Sequence, residues 1–203
     1  MFGTAEKIKK NIITEIAAVL AFSAAENNDK VGCIFFSDRI EKFIPPKKGR
    51  SHILMIIREL IEFQPAGRGT ALSEPLRYLT NAIKKRCTAF LLSDFMVPEE
   101  DRKRFEDSLK IASGKHDVVG IRVYDRRDAE LPDVGIVEVE DAETGRKLWI
   151  DTSLRAVRER YGAAWREGER FVDTALNRGR VDHVSVTTDE DYVKALIKLF
   201  KRR

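Results

Sequence analysis

Thr88-Ala89-Phe90-Leu91-Leu92-Ser93-Asp94 is the stretch that most narrows what this chain can fold into. It is a short apolar run without polar alternation, and it stops on a hydroxyl and a carboxylate. A strand with one wet face alternates, whereas a run like this reads as a strand buried on both faces, as in a parallel sheet. Open parallel sheets hold ligands in the crevice beyond the carboxyl ends of their strands, where Asp94 is expected. Gly69-Thr70 precedes the helix that leads into this strand, so it is expected at the same edge. Ser93, Asp94 and Thr70 present oxygen atoms, which suit a hard cation such as Mg²⁺.

The rest of the chain supplies helices and strands in alternation. Ile8, Ile12, Ile16, Val19, Leu20 and Ser23 recur at three- and four-residue steps, which predicts an N-terminal helix with Thr4 as its cap. Val31–Phe36 reads as a second buried strand, followed by an edge strand at Glu41–Ile44 that Pro45-Pro46 ends. Ser51 is expected to cap a helix whose core face is Leu54, Ile57, Leu60 and Ile61. Pro75 is tolerated only in a first helical turn, so the next helix starts near Ser73, and Thr70 falls outside it. A turn or capping hydroxyl is the plain alternative for Thr70. Pro98 opens a helix that buries Phe105, Leu109 and Ala112, and 117–124 is a strand with Val119, Ile121 and Val123 on one face. A polar loop is expected over 125–132. Gly135–Val139 and Lys147–Ile150 read as a hairpin around Asp141–Gly145. Ser153 starts a long helix with Leu154, Val157, Tyr161, Ala164, Phe171 and Ala175 inward, and Gly179 ends it. A last strand at Val184–Val186 and a final helix with Val193, Leu196, Ile197 and Phe200 close the chain. This order predicts one α/β domain over residues 1–203: a doubly wound, mostly parallel sheet with helices on both faces and the hairpin as an excursion. A length of 203 residues suits a single domain.

Composition excludes several functions. Lys and Arg exceed Asp and Glu by only four, with both signs interspersed, so nucleic-acid binding is not expected. No apolar run approaches ~18 residues and no leader is visible, so no membrane span is expected and the chain reads as cytoplasmic. Cys33 and Cys87 read as buried free thiols in a reducing compartment. His52, His116 and His183 are far apart, and no phosphate-binding glycine loop or nucleophile motif occurs. Glu138, Glu140, Asp141, Glu143 and Asp151 resemble a calcium cluster in composition only. Their spacing matches no EF-hand loop, and a solvated face explains them.

With Thr70 and Ser93-Asp94 in place, the chain resembles a von Willebrand factor A-like domain. More narrowly it resembles the domain-of-unknown-function family fifty-eight, often encoded beside MoxR-type AAA+ ATPases. The matching stretches include Asp29–Gly32, Phe36–Ile40, Pro45–Gly49, Gly69-Thr70, Leu92–Phe95, Leu131–Gly135, Asp141–Gly145 and Asp151-Thr152. The resemblance implies a metal-ion-dependent adhesion site. Thr70 and Asp94 match two of its metal ligands, with Ser93 behind them, and Mg²⁺ is the implied ion. The remaining ligands come, in the family, from a D-x-S-x-S segment at the end of the first strand. That segment is missing here. Met1-Phe2-Gly3-Thr4 matches the family's residues just beyond that segment, so the sequence is expected to start right after the first strand, by truncation or by a start codon set downstream.

The resemblance makes the first strand central, so its loss implies a gap between the 31–36 and 88–94 strands. The neighbours are then expected to close up, to borrow a segment, or to pair as a homodimer through exposed edges. The implied function is protein interaction without catalysis, with a MoxR-type ATPase or its client as partner. A Mg-dependent phosphoester hydrolase using Asp94 is the alternative.

Overall fold

The structure is a computed structural model that describes residues 2–67, 69–140 and 147–203. In chain order its elements are α1 (Phe2–Glu26), β1 (Val31–Phe36), β2 (Ile40–Lys47), α2 (Arg50–Glu62), α3 (Ser73–Ala82), β3 (Thr88–Ser93) and α4 (Arg102–Lys115). They continue with β4 (Asp117–Tyr124), α5 (Arg126–Ala129), β5 (Ile136–Glu140), β6 (Lys147–Asp151), α6 (Arg155–Arg178), β7 (Asp182–Thr187) and α7 (Tyr192–Phe200).

β4 is the axis. It pairs in parallel with β3 on one side and β7 on the other, Leu91 opposite Gly120 and Ile121 opposite Val184. Its six inner residues are all buried, because helices cover both faces of this three-stranded sheet. One face carries Ile121, Val123 and Val186, packed with Ile16 of α1 and Leu196 of α7. The other carries Leu91 and Val118, packed with Leu76 of α3, Phe105 and Leu109 of α4, and Val172 and Leu176 of α6. The alternation between faces follows from the period of two along a strand. Each such side chain, fully buried, contributes about 1.5–3 kcal/mol.

β1 and β2 form a separate antiparallel pair, with α2 packed on it through Ile56 beside Phe35 and Ile44. Among the described residues no ladder joins β1 to β3. The two strands therefore belong to different sheets. β5 and β6 pair antiparallel, apart from both sheets, while the turn expected at 141–145 lies outside the described residues. The buried Thr152 anchors this ribbon. Its backbone N–H and its hydroxyl both donate to the Gly135 carbonyl, the hydroxyl at 2.7 Å, and Val134 N–H donates to Thr152 Oγ1.

Several local expectations are corrected. α1 already includes Thr4, which therefore does not cap it. α2 starts after Gly49, whose φ of 108° suits only glycine, and it buries Ile53 and Ile56 while Leu54 and Ile61 face outward. The inward face of α6 is Gly162, Trp165, Val172, Ala175 and Leu176, with Leu154 and Tyr161 exposed. The polar loop after β4 holds α5, capped by Asp125 in a reciprocal capping box with Asp128. Cys33 and Cys87 are free and half-buried. No helix among the described residues is long and apolar enough to cross a membrane.

Candidate functional site

The N-terminus of α3 is tied to both flanking segments of the expected site. Pro75 sits in the first turn of α3 and is buried, which leaves Thr70 in the preceding loop. Ala71 N–H donates to the Ser37 carbonyl at 3.0 Å, fixing that loop to the end of β1. The buried Ser73 hydroxyl donates to Asp101 Oδ1 at 2.8 Å, fixing the same helix end to the segment beyond β3. The start of α3 is therefore tied to the residue that follows β1 and to the segment beyond β3, with Thr70 in the loop before the helix and Asp94 directly after β3. Both line one cleft of about 1930 Å³ that runs between the two strands.

A carboxylate not singled out by sequence holds the Thr70 loop. Glu41 Oε1 accepts from Ala66 N–H at 3.1 Å, Gly67 N–H at 2.8 Å and Ser37 Oγ at 2.6 Å. The Ser37 hydroxyl and then the Gly67 N–H stabilise the charged form, holding the Glu41 carboxyl below the usual range. Gly67 is needed for the close approach: a Cβ there would lie 2.3 Å from Ser37 Oγ and 2.0 Å from Asp38 Oδ1. A Glu four residues after a strand-ending Ser, facing a Gly-rich loop from a distant part of the chain, leaves no local sequence signal.

On the other side, β3 ends in a tight turn. Ser93 is buried and its Oγ accepts from Phe95 N–H at 3.1 Å, while Asp94 Oδ1 accepts from Met96 N–H at 3.2 Å. Phe95 takes φ 56°, a left-handed conformation costly for a bulky residue. Its ring is buried against Phe105 at 6.5 Å between centroids, and that packing offsets the strain. The result leaves Asp94 half-buried in the lining of the cleft. Among the described residues the Thr70 hydroxyl has no hydrogen-bond partner.

The donor types of Thr70, Ser93 and Asp94, one carboxylate and two hydroxyls, suit Mg²⁺, which is commonly held by one or two carboxylates and otherwise by water. Their number is short of a full set. Among the described residues no group of three or more His, Cys, Asp or Glu side chains comes together. The histidines stay apart: His52 contacts the Val31 carbonyl, His116 is buried beside Cys87, and His183 faces Asp173. In the acidic group on β5 and β6, Glu138 pairs with Lys147, and Asp151 accepts from Ser153. The side chains of 140, 141 and 143 lie outside the described residues.

The profile of the family described as "Protein of unknown function DUF58" matches residues 1–170. The chain belongs to the DUF58 family. An uncharacterized protein of Mycobacterium tuberculosis, Rv1480, is 29% identical over 206 residues, an alignment that covers all of this chain and 63% of that protein. This DUF58 chain thus spans less than two thirds of that relative. An uncharacterized protein of Mycobacterium avium is also 29% identical, over 79% of this chain and 93% of its own. Among solved structures, the conserved hypothetical protein BatB of Bacteroides thetaiotaomicron superposes with a TM-score of 0.56 at 17% identity, covering 93% of this chain and 87% of BatB. An aerotolerance-related membrane protein of Bacteroides fragilis gives 0.54 at 14% identity, covering 96% and 88%. At these identities the likeness is one of fold.

Proposed function

We propose that the mouth between β1 and β3 is a metal-dependent docking site for another protein, an incomplete metal-ion-dependent adhesion site on a von Willebrand factor A-like fold. The observation that carries this reading is that Thr70, in the loop tied to the end of β1, and Asp94, just after β3, line the same cleft. Thr70 and Asp94 would hold Mg²⁺ directly or through water, with Ser93 orienting the turn behind them. The ion would supply a positive centre for a carboxylate of the partner. The family resemblance supplies the rest: the partner is a MoxR-type AAA+ ATPase or its client, and the role is assembly or maturation of a complex, without catalysis.

The test is affinity for a purified MoxR-type ATPase with Mg²⁺ and with EDTA. Asp94→Ala and Thr70→Ala should each weaken Mg²⁺-dependent binding at least tenfold. The fold should persist, since Asp94→Ala removes only local hydrogen bonds worth about 0.5–1.5 kcal/mol each. Affinity indifferent to both the ion and the substitutions would sink the reading. Sustained phosphoester turnover that disappears in Asp94→Asn would replace it with the hydrolase.

A further inference from the structure

We propose that β6 is a self-association strand. Two copies of this chain pair through their β6 edges, antiparallel about Trp149, and join their ribbons into one continuous sheet. The partner is a second copy of the chain, and the register sets Lys147 of each copy against Asp151 of the other. The metal reading and the cleft play no part in it.

Among the described residues β6 pairs only with β5. Along an antiparallel ladder, pairs that exchange both backbone bonds alternate with pairs whose N–H and C=O point away. Thr152 sets the phase of that alternation. Its N–H donates at 2.9 Å to the carbonyl of Gly135, the residue opposite it when the β5–β6 register is continued. Counting back by twos, Ile150 and Leu148 bond toward β5, while Asp151, Trp149 and Lys147 turn their backbone groups outward. An outward row of this kind templates pairing with another strand. Antiparallel pairing about Trp149 sets these same residues opposite one another: Trp149 opposite Trp149, and Lys147 opposite Asp151 at each end. Every such pair exchanges both of its backbone bonds, so the register that matches the charges also matches the ladder.

The side chains call for the same cover. Leu148 and Trp149 are 56% and 71% exposed, and Ile150 is half-buried. A Leu-Trp-Ile run along a strand edge is what monomeric proteins avoid, by placing charge or proline there. Residues opposite each other in a ladder share a face, so Val137, Val139, Leu148 and Ile150 make one wholly apolar face of the ribbon. A lone pair of strands is marginal in water, whereas three or more with a common apolar face are stable. A two-fold axis perpendicular to the sheet keeps this face on one side in both copies. The apolar strip is thereby doubled, and the Trp149 rings meet across the axis.

Charge selects both the occupant and the strand. β6 reads Lys-Leu-Trp-Ile-Asp, with one cation and one anion at opposite ends. Laid antiparallel on itself, it sets opposite charges against each other at both ends, which stabilises a strand pair. A slip of two residues loses both ion pairs, and a parallel arrangement brings like charges together. The outward residues of β5 are Ile136, Glu138 and Glu140, so β5 laid on its own copy sets Glu138 against Glu138, a repulsive pair. Both charges of β6 are available. Lys147 is exposed, and its pair with Glu138 at 3.2 Å is a surface pair of little weight. Asp151 accepts from Ser153 through Oδ1, which among the described residues leaves Oδ2 for a lysine.

The experiment uses the chain of residues 1–203. Sedimentation equilibrium from micromolar to millimolar concentration should show a monomer–dimer equilibrium with no larger species. Residue-resolved hydrogen exchange should slow at the 147, 149 and 151 amides as concentration rises, with the 148 and 150 amides slow throughout. Lys147→Glu and Asp151→Lys, each checked for folding by circular dichroism, should each raise the dimer dissociation constant about tenfold or more. An equimolar mixture of the two folded variants should dimerise as the unsubstituted chain does, because each then meets the opposite charge on the other. The proposal is overturned if the chain stays monomeric at millimolar concentration, if either variant alone dimerises undiminished, or if the mixture fails to dimerise. It is also overturned if the 147, 149 and 151 amides are protected at every concentration, which would mean that another part of the same chain covers them. Assembly beyond a dimer would overturn it in favour of head-to-tail pairing of β6 with β5.

Discussion

His116 shows how one buried side chain carries a pH signature. It is 1% exposed, its Nδ1 lies 3.5 Å from Cys87 Sγ, and its Nε2 has no partner among the described residues. Burial, with Lys115 and Arg86 nearby, lowers its pKa below the ordinary imidazole value. The unfolded chain therefore takes up a proton near pH 6.5 while the folded chain does not. Stability should be flat above that value and fall as pH drops below it, down to the lowered folded pKa. His116→Gln should flatten the slope of the urea midpoint between about pH 6.5 and 5, a range in which the depressed carboxyls of Glu41, Asp125 and Asp151 stay ionised. An unchanged slope would place the titration elsewhere. Cys33, on the cleft wall, is pushed up to about 12 by burial and should resist alkylation at neutral pH. Arg122 is the residue sequence reasoning could not anticipate. A charged side chain in the central strand is tolerated because its guanidinium lies 5.0 Å from the Tyr124 and Trp165 rings and pairs with Glu169 at 3.1 Å. Trp165 and Glu169 come from α6, at a sequence distance that no periodic pattern records.

Among the elements, those set by punctuation or by unbroken apolar runs were legible, and those set by which face turns inward were less so. β3 and β4 followed from continuous hydrophobicity, and the start of α3 followed from Pro75. The faces of α2 and α6 came out about one position off, because Ile and Leu, or Ala and Trp, occupy adjacent positions and leave the stripe ambiguous; tertiary packing of Ile53 and Trp165 decided it. The loop before α3 is legible from Pro75, but its anchor, Glu41, is not, since the backbone amides that Glu41 holds lie 25 and 26 residues away. That anchor predicts the effect of Gly67→Ala. The added carbon must displace Ser37 or Asp38, so the substitution should cost about 1–3 kcal/mol and raise the exchange rate of the Ala66 and position-67 amides. Acidification should loosen the same amides as the Glu41 carboxyl becomes protonated, below the usual Glu range. A neutral Gly67→Ala would mean that contacts other than Glu41 and Ser37 hold the loop.

At the scale of the whole molecule, the β5–β6 ribbon stands apart, and the rest of the sheet backbone is divided between the β1–β2 pair and the β3–β4–β7 sheet, with no ladder joining them among the described residues. Native-state exchange should therefore find two cooperative units. The β4 amides, buried on both faces, should open only with global unfolding, and those of β1 and β2 should open at a free energy lower by at least ~1 kcal/mol. A single exchange free energy across both sheets would contradict the division. The division also bears on the mouth. Thr70 rides with β1 through Ala71 and Glu41, and Asp94 rides with β3, so the distance between them is set by how far apart the sheets stand. Anything that bridges the two residues does work against that spacing, and anything that seats between the strands changes the spacing at which bridging occurs. By thermodynamic reciprocity, each must alter the affinity of the other by the same factor. The two halves of the domain thus behave as a caliper, in which the reading at the tip and the thickness of the object gripped are one quantity.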